Sequence, residues 1–152
     1  MSQHSANVGD IAPDFTLKGA GGKIHALSAL KGSKRAILVF YPQDMTSGCT
    51  DQLSALRDTI ADFEAVDTIP FGVNEGSAES HQQFIDELDL PFDLLVDEGL
   101  AVSTAYSALK PEGGRILRTV VMIGKDGKII FREQGSPAPG ALLSAIAKVS
   151  DS

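Results

Sequence analysis

Apolar and polar positions change period several times along the chain, and each change marks an element. Asp14-Phe15-Thr16-Leu17 and Lys23-Ile24-His25-Ala26-Leu27 read as two short strands around the glycine-rich turn Gly19-Ala20-Gly21-Gly22. Residues 35–41 then form a near-continuous apolar run, the pattern of a strand covered on both faces in a parallel sheet, and Pro42 ends it. From Cys49 the period lengthens. Cys49, Leu53, Leu56, Ile60 and Phe63 recur at alternating four- and three-residue steps, with Asp51, Arg57, Asp58 and Asp62 between them. This spacing predicts one amphipathic helix. A second buried strand follows at 69–73, and Ser77 suits the cap of a helix running to about residue 88, with Glu79 in its first turn. Leu94-Leu95-Val96 reads as a brief extended piece before a short helix over 100–106. Residues 117–123 and 128–132 flank Gly124-Lys125-Asp126-Gly127, a second hairpin signal. Pro139-Gly140 precedes a last helix over 141–149.

The order is hairpin, βα, βα, a short strand and helix, ββ, α. It predicts an α/β fold with a central mixed sheet flanked by helices on both faces and an N-terminal β-hairpin extension. No linker, repeat or charge block divides residues 1–152, so the chain is read as a single domain.

Charge and cysteine content then narrow the function. With 13 basic and 20 acidic residues the net charge is −7, which argues against a phosphate backbone or a basic membrane-surface helix as partner. The opening stretch has neither the basic flank nor the apolar core of a secretory signal. The single cysteine excludes an intramolecular disulfide, and both features fit a cytoplasmic protein.

That cysteine lies in the most informative segment, Tyr41-Pro42-Gln43-Asp44-Met45-Thr46-Ser47-Gly48-Cys49-Thr50, which leaves a buried strand and enters a helix. A sulfur in the first helical turn sits among N–H groups with no helical partner, at the positive end of the helix dipole; both favour the thiolate. Cys49 is also in phase with Leu53 and Leu56. By position alone it is either a nucleophile or a filler of the apolar face.

Other constellations carry less. His4, His25 and His81 lack a metal-ligand spacing, and no metal site is expected. His81 beside Glu79 reads as helix surface, Arg115 and Arg132 as surface charges, and Asp86, Glu87 and Asp89 as a solvated helix end. The turn at 19–22 lacks the Gly-Lys-Ser/Thr of a phosphate loop.

Pro42, Thr46 and Cys49 spell Pro-x-x-x-Thr-x-x-Cys, which resembles the active-site signature of the peroxiredoxins. Val8-Gly9-Asp10 with Ala12-Pro13-Asp14-Phe15-Thr16-Leu17 is similar to their opening. Leu38-Val39-Phe40-Tyr41-Pro42 is similar to their strand into the active-site loop. Ser80-His81 with Phe84, and Leu90-Pro91-Phe92 with Leu94-Leu95 and Asp97, resemble the bacterioferritin-comigratory-protein (peroxiredoxin Q) branch. Arg118, followed by Val121, Ile123 and Lys125-Asp126-Gly127-Lys128-Ile129, resembles the strand that carries the family's arginine.

The resemblance implies a thioredoxin-like fold and a cofactor-free thiol peroxidase acting on hydrogen peroxide and organic hydroperoxides. Cys49 would be the nucleophile and Thr46 would hold a peroxide oxygen. Arg118 would stabilise the thiolate and the leaving oxygen, Gly48 would offer backbone N–H to the substrate, and Pro42 would shield the sulfur. Ser47 stands where the family often has proline. Ser54 stands where many members of this branch carry a resolving cysteine, so the chain resembles the one-cysteine type. Its reductant would be an external thiol, from a thioredoxin-type protein or a small molecule, and its state a monomer or weak homodimer. Two rivals share the strand–loop–helix placement: a glutaredoxin- or thioredoxin-like thiol exchanger, and a redox-inactive binding module. Thr46 at the first position of what would be Cys-x-x-Cys counts against the exchanger.

Overall fold

A computed structural model describes residues 7–44 and 46–149. The opening residues 1–6, which include His4, lie outside that range, as do Met45 and residues 150–152. Strands β1 (Thr16–Lys18) and β2 (Ile24–Ala26) form the N-terminal antiparallel hairpin. Then come β3 (Arg35–Phe40), α1 (Ser47–Asp58), α2 (Ile60–Glu64), β4 (Thr68–Asn74), α3 (Ala78–Leu88) and β5 (Leu94–Val96). The chain ends with α4 (Ala101–Ala105), β6 (Thr119–Ile123), β7 (Ile129–Gln134) and α5 (Pro139–Ala147). Among the described residues the main sheet has the order β5-β4-β3-β6-β7. β4 pairs parallel with both β3 and β5, while β6 runs antiparallel to β3 and β7.

Period-2 alternation in the central strands divides the core into two layers. Ile37 and Val39 of β3, followed by Tyr41, point with Val120 and Met122 of β6 toward Leu53, Leu56, Phe63, Phe84 and Leu142 on the helices. Ala36, Leu38 and Phe40 point the other way, with Val121 and Ile123, onto Phe15, Leu27, Val102 and Tyr106. All residues of β3 are buried, as the uninterrupted apolar run predicts. Burying one such aliphatic side chain contributes about 1.5–3 kcal/mol, so the middle strand anchors both layers.

Several element ends shift by one or two residues, as in β1 and β6, and two helix boundaries differ for an identifiable reason. The apolar face from Cys49 to Phe63 is carried by two helices rather than one. At Thr59 the backbone leaves helical geometry (φ −116°, ψ 17°), and the hydroxyl bonds back to Ala55 O at 2.8 Å and Leu56 O at 3.3 Å. A threonine that satisfies the preceding turn ends α1, and the chain re-enters a helix in nearly the same phase. The last helix begins at Pro139 itself, whose missing N–H costs nothing at that position.

Candidate functional site

The sheet register brings Arg118 and Cys49 together. Phe40 pairs with Thr119, so Arg118 lies beside the exit of β3, where the chain turns into the loop before α1. By alternation its side chain follows Val120 and Met122 onto the layer that holds Cys49. The backbone at Arg118 is fixed from the far side, because its carbonyl accepts from Gly135 N at 2.8 Å, just past β7. Gly135 takes φ +98°, a turn geometry suited to glycine.

Arg118 Nη2 donates to Cys49 Sγ at 3.3 Å, and its Nη1 donates to Gln52 Oε1 at 2.7 Å. Gln52 is buried and leans in turn on Gly135 O. Cys49 occupies the first turn of α1, with Thr46 as the helix-preceding residue whose carbonyl accepts from Thr50 N at 2.9 Å. The N–H groups of Ser47, Gly48 and Cys49 thus precede the first helical bond and aim toward the same region. A Cβ at Gly48 would stand 3.2 Å from Arg118 Nη2, so a side chain there would crowd the guanidinium.

Thr46 is half-buried, and its hydroxyl donates to Gln43 O at 3.2 Å, leaving lone pairs to accept a further bond. Pro42 is half-buried, with its carbonyl accepting from Asn74 Nδ2 at 2.9 Å. The sulfur is enclosed: Cys49 is 0% exposed. A groove of about 430 Å³ runs past its neighbours Gly48 and Gln52, lined also by Leu56, Val120 and Leu142, but Cys49 itself does not line it.

Sequence reasoning missed part of this neighbourhood. Gln52 carried no chemical signal of its own, though its place three residues beyond Cys49 puts both on one helix face. The reading of His81 as helix surface is corrected: the ring is 0% exposed, because α3 turns it inward against the loop. His81 Nδ1 lies 2.7 Å from Asp44 Oδ2, and Nε2 lies 3.0 Å from Leu95 O. Asp44 also accepts from Tyr41 Oη at 2.5 Å and Ser80 Oγ at 2.7 Å. Burial alone would raise the Asp44 carboxyl, but the bonds from His81, Ser80 and Tyr41 outweigh it and hold the group below the usual carboxylate range. Tyr41 is pushed well above its ordinary value, first by burial, then by the Asp44 charge and hydrogen bond, with Cys49 contributing last. Arg132 is likewise more than a surface charge. Half-buried, it ties β7 to the end of α4 through Tyr106 O at 2.6 Å and Ser107 O at 2.7 Å. Arg115, Asp86, Glu87 and Asp89 are exposed, as their context predicts.

Residues 8–132 match the AhpC/TSA family. The chain belongs to that family. Within it, the chain is 39% identical over 129 residues to peroxiredoxin Bcp of Bacillus subtilis, covering 81% of this chain and 82% of that protein. It is 43% identical over 132 residues to a chloroplastic peroxiredoxin Q of Triticum aestivum, covering 85% of this chain and 60% of the longer plant protein. Among solved structures, peroxidoxin BcpB of Mycobacterium tuberculosis superposes with a TM-score of 0.86 at 23% identity, covering 94% and 97% of the two chains. Peroxiredoxin Q of Xanthomonas campestris gives 0.79 at 25% identity, covering 88% and 89%. These likenesses establish the thioredoxin-like peroxiredoxin fold and the Bcp/peroxiredoxin Q branch, and the single cysteine fits the one-cysteine type. As an AhpC/TSA protein it carries, among the described residues, no cluster of three His, Cys, Asp or Glu side chains placed to hold a metal ion. Nor is any helix among them long and apolar enough to cross a membrane.

Proposed function

We infer that the protein is a thiol-dependent peroxidase that reduces hydrogen peroxide and organic hydroperoxides at Cys49. The observation that carries this reading is the Arg118 guanidinium 3.3 Å from a sulfur at a helix start, in a chain of the AhpC/TSA family. The thiolate attacks one peroxide oxygen, an S–O bond forms as the O–O bond breaks, and the departing oxygen takes a proton and leaves as water or alcohol. Cys49 is left as a sulfenic acid.

Thiolate supply alone explains little of the rate. Lowering a thiol's pKa from about 8.5 to about 6 gains roughly 30-fold in thiolate at neutral pH, and nucleophilicity falls as that happens. Orientation and charge stabilisation supply the rest. Arg118 is the cation for both the thiolate and the developing oxyanion. The Thr46 oxygen accepts from the peroxide, the Gly48 N–H donates to it, and the Pro42 ring excludes water from the sulfur. Gln52 holds the second arm of the guanidinium. Gln52→Leu is therefore expected to lower kcat/KM by roughly 10- to 100-fold, the cost of about 1 Å of misplacement, with circular dichroism unchanged.

The acidic balance and lone thiol support a cytoplasmic enzyme that acts apart from nucleic acid and membranes. Family resemblance is what suggests that it works without a cofactor, as a monomer or weak homodimer. Its reductant is an external thiol, from a thioredoxin-type protein or a small molecule. The decisive assay is consumption of hydrogen peroxide by the reduced protein, which Cys49→Ser abolishes. Equal consumption by both proteins refutes the assignment. Reduction of disulfides without peroxide consumption points instead to thiol exchange.

A further inference from the structure

A buried polar cluster lies in the loop just before the thiol, and no hydrogen bond among the described residues joins it to the sulfur. Asp44 sits in the loop between β3 and α1, and His81 lies in the first turns of α3, 37 residues later. Their side chains are 5% and 0% exposed. Asn74, at the end of β4, donates to Tyr41 O at 2.8 Å and to Pro42 O at 2.9 Å, and its own Oδ1 accepts from Gly76 N at 2.7 Å. The loop is thus gripped at residues 41, 42 and 44 by β4 and α3, immediately before Thr46 and Cys49.

Proton counting defines the charge state. A carbonyl oxygen accepts only, so the nitrogen 3.0 Å from Leu95 O and 3.3 Å from Asn74 O must carry a hydrogen. The other nitrogen faces a carboxylate that already accepts from Tyr41 and Ser80, so it too must carry one. Both ring nitrogens donate, and His81 is an imidazolium. The charged groups around the pair are accounted for on every side. Tyr41 comes from the end of β3, with Cys49 of α1 beyond it; Ser80 comes from α3; carbonyls come from β4 and β5. The Asp97 carboxylate after β5 is engaged by Val102 N, Ser103 N and Ser103 Oγ, and Glu75 and Glu79 are exposed.

We propose that Asp44 and His81 form a buried carboxylate–imidazolium clamp that positions the thiol loop, so that peroxidase turnover depends on the protonation of this pair as well as on Cys49. Asp44 and His81 are positioning residues acting through the loop. The sign follows from the carboxylate. The clamp is complete above the ordinary carboxylate value of about 3.9 and is lost as pH falls through the lower folded value of Asp44.

Two measurements test this. The first uses the full-length ¹⁵N-labelled wild-type chain, with its histidine signals assigned against His4→Gln and His25→Gln. Side-chain ¹H–¹⁵N spectra at neutral pH should show hydrogens on both His81 nitrogens; a single neutral tautomer overturns the proposal. This arm needs neither a site variant nor activity, so it stands apart from the peroxidase reading on which the rest depends. The second compares kcat/KM against pH for wild type and the near-isosteric Asp44→Asn, with thiolate content followed separately by alkylation rate. The variant should lose on the order of 100-fold in kcat/KM. On the acid side its rate should follow thiolate content alone, whereas wild type falls further as Asp44 takes up its proton. A uniform loss with an unchanged profile shape overturns the proposal and leaves Asp44 a structural residue.

Discussion

Arg118→Met lowers kcat/KM for hydrogen peroxide by about 30- to 1,000-fold, the equivalent of about 2–4 kcal/mol for a preorganised charged donor in a dry site. The magnitude rests on geometry. Nη2 is 3.3 Å from the sulfur, and Nη1 is held by Gln52, so the guanidinium is in place before peroxide arrives. Methionine fills similar volume and keeps the apolar stem but offers neither charge nor N–H. The other arginines are the controls. Arg115 is exposed and touches nothing in the site, so Arg115→Met keeps the wild-type rate. Arg132→Met removes donors from Tyr106 O and Ser107 O, which lowers thermal stability more than it lowers rate. Stopped-flow peroxide kinetics with thermal melts of all three variants separate these outcomes. Equal rates in all three would remove Arg118 from the mechanism.

The pairing of Arg118 with Cys49 shows what a sequence discloses and where it goes silent. Strand β3 was legible because a strand buried on both faces leaves an unbroken apolar run, and α3 because Ser77 caps it, accepting from Ser80 N at 3.1 Å. The Gly124–Gly127 turn was legible because glycine and aspartate mark a tight connection. Each of these signals is local. The break at Thr59 was not, because a threonine in a helix usually points outward and the apolar phase continues across it. His81 was misread for a related reason. Its sequence neighbours are polar, and what buries it is Asp44 from a loop 37 residues away. Arg118 was singled out through family resemblance; no local pattern separates it from Arg115. Only the β3–β6 register does, by placing residue 118 at the end of β3 and on the thiol face.

Without an added thiol, each molecule rapidly consumes about one equivalent of peroxide and does not turn over, because Cys49 is the only sulfur available to form a disulfide within the chain. Ser54, half-buried on α1 at the position where family resemblance would place a resolving cysteine, cannot condense with a sulfenic acid. The second sulfur must come from another molecule. Cys49 is fully buried in the folded helix, so a small thiol or a thioredoxin-type protein reaches it only if the first turn of α1 opens. Gly48 gives that turn backbone freedom, and few side-chain bonds hold it, whereas the loop before it is tied to β4 and α3. Opening also separates the sulfur from Arg118. The Arg118 contact thus belongs to the peroxide step and is released for reduction by thiol, and peroxide too reaches the 0%-exposed sulfur only through motion of its surroundings. Mixed-disulfide formation followed by attack of a second thiol returns Cys49 to the reduced state. Intact mass measured after peroxide treatment under non-reducing conditions follows each stage. The expected sequence is a gain of one oxygen, then a covalent adduct with added thiol, then the original mass. Prolonged peroxide without thiol should instead add a second oxygen that thiols do not remove. A homodimer linked through Cys49 would replace the external thiol with a second copy of the chain. An unchanged mass would refute oxidation at this sulfur altogether.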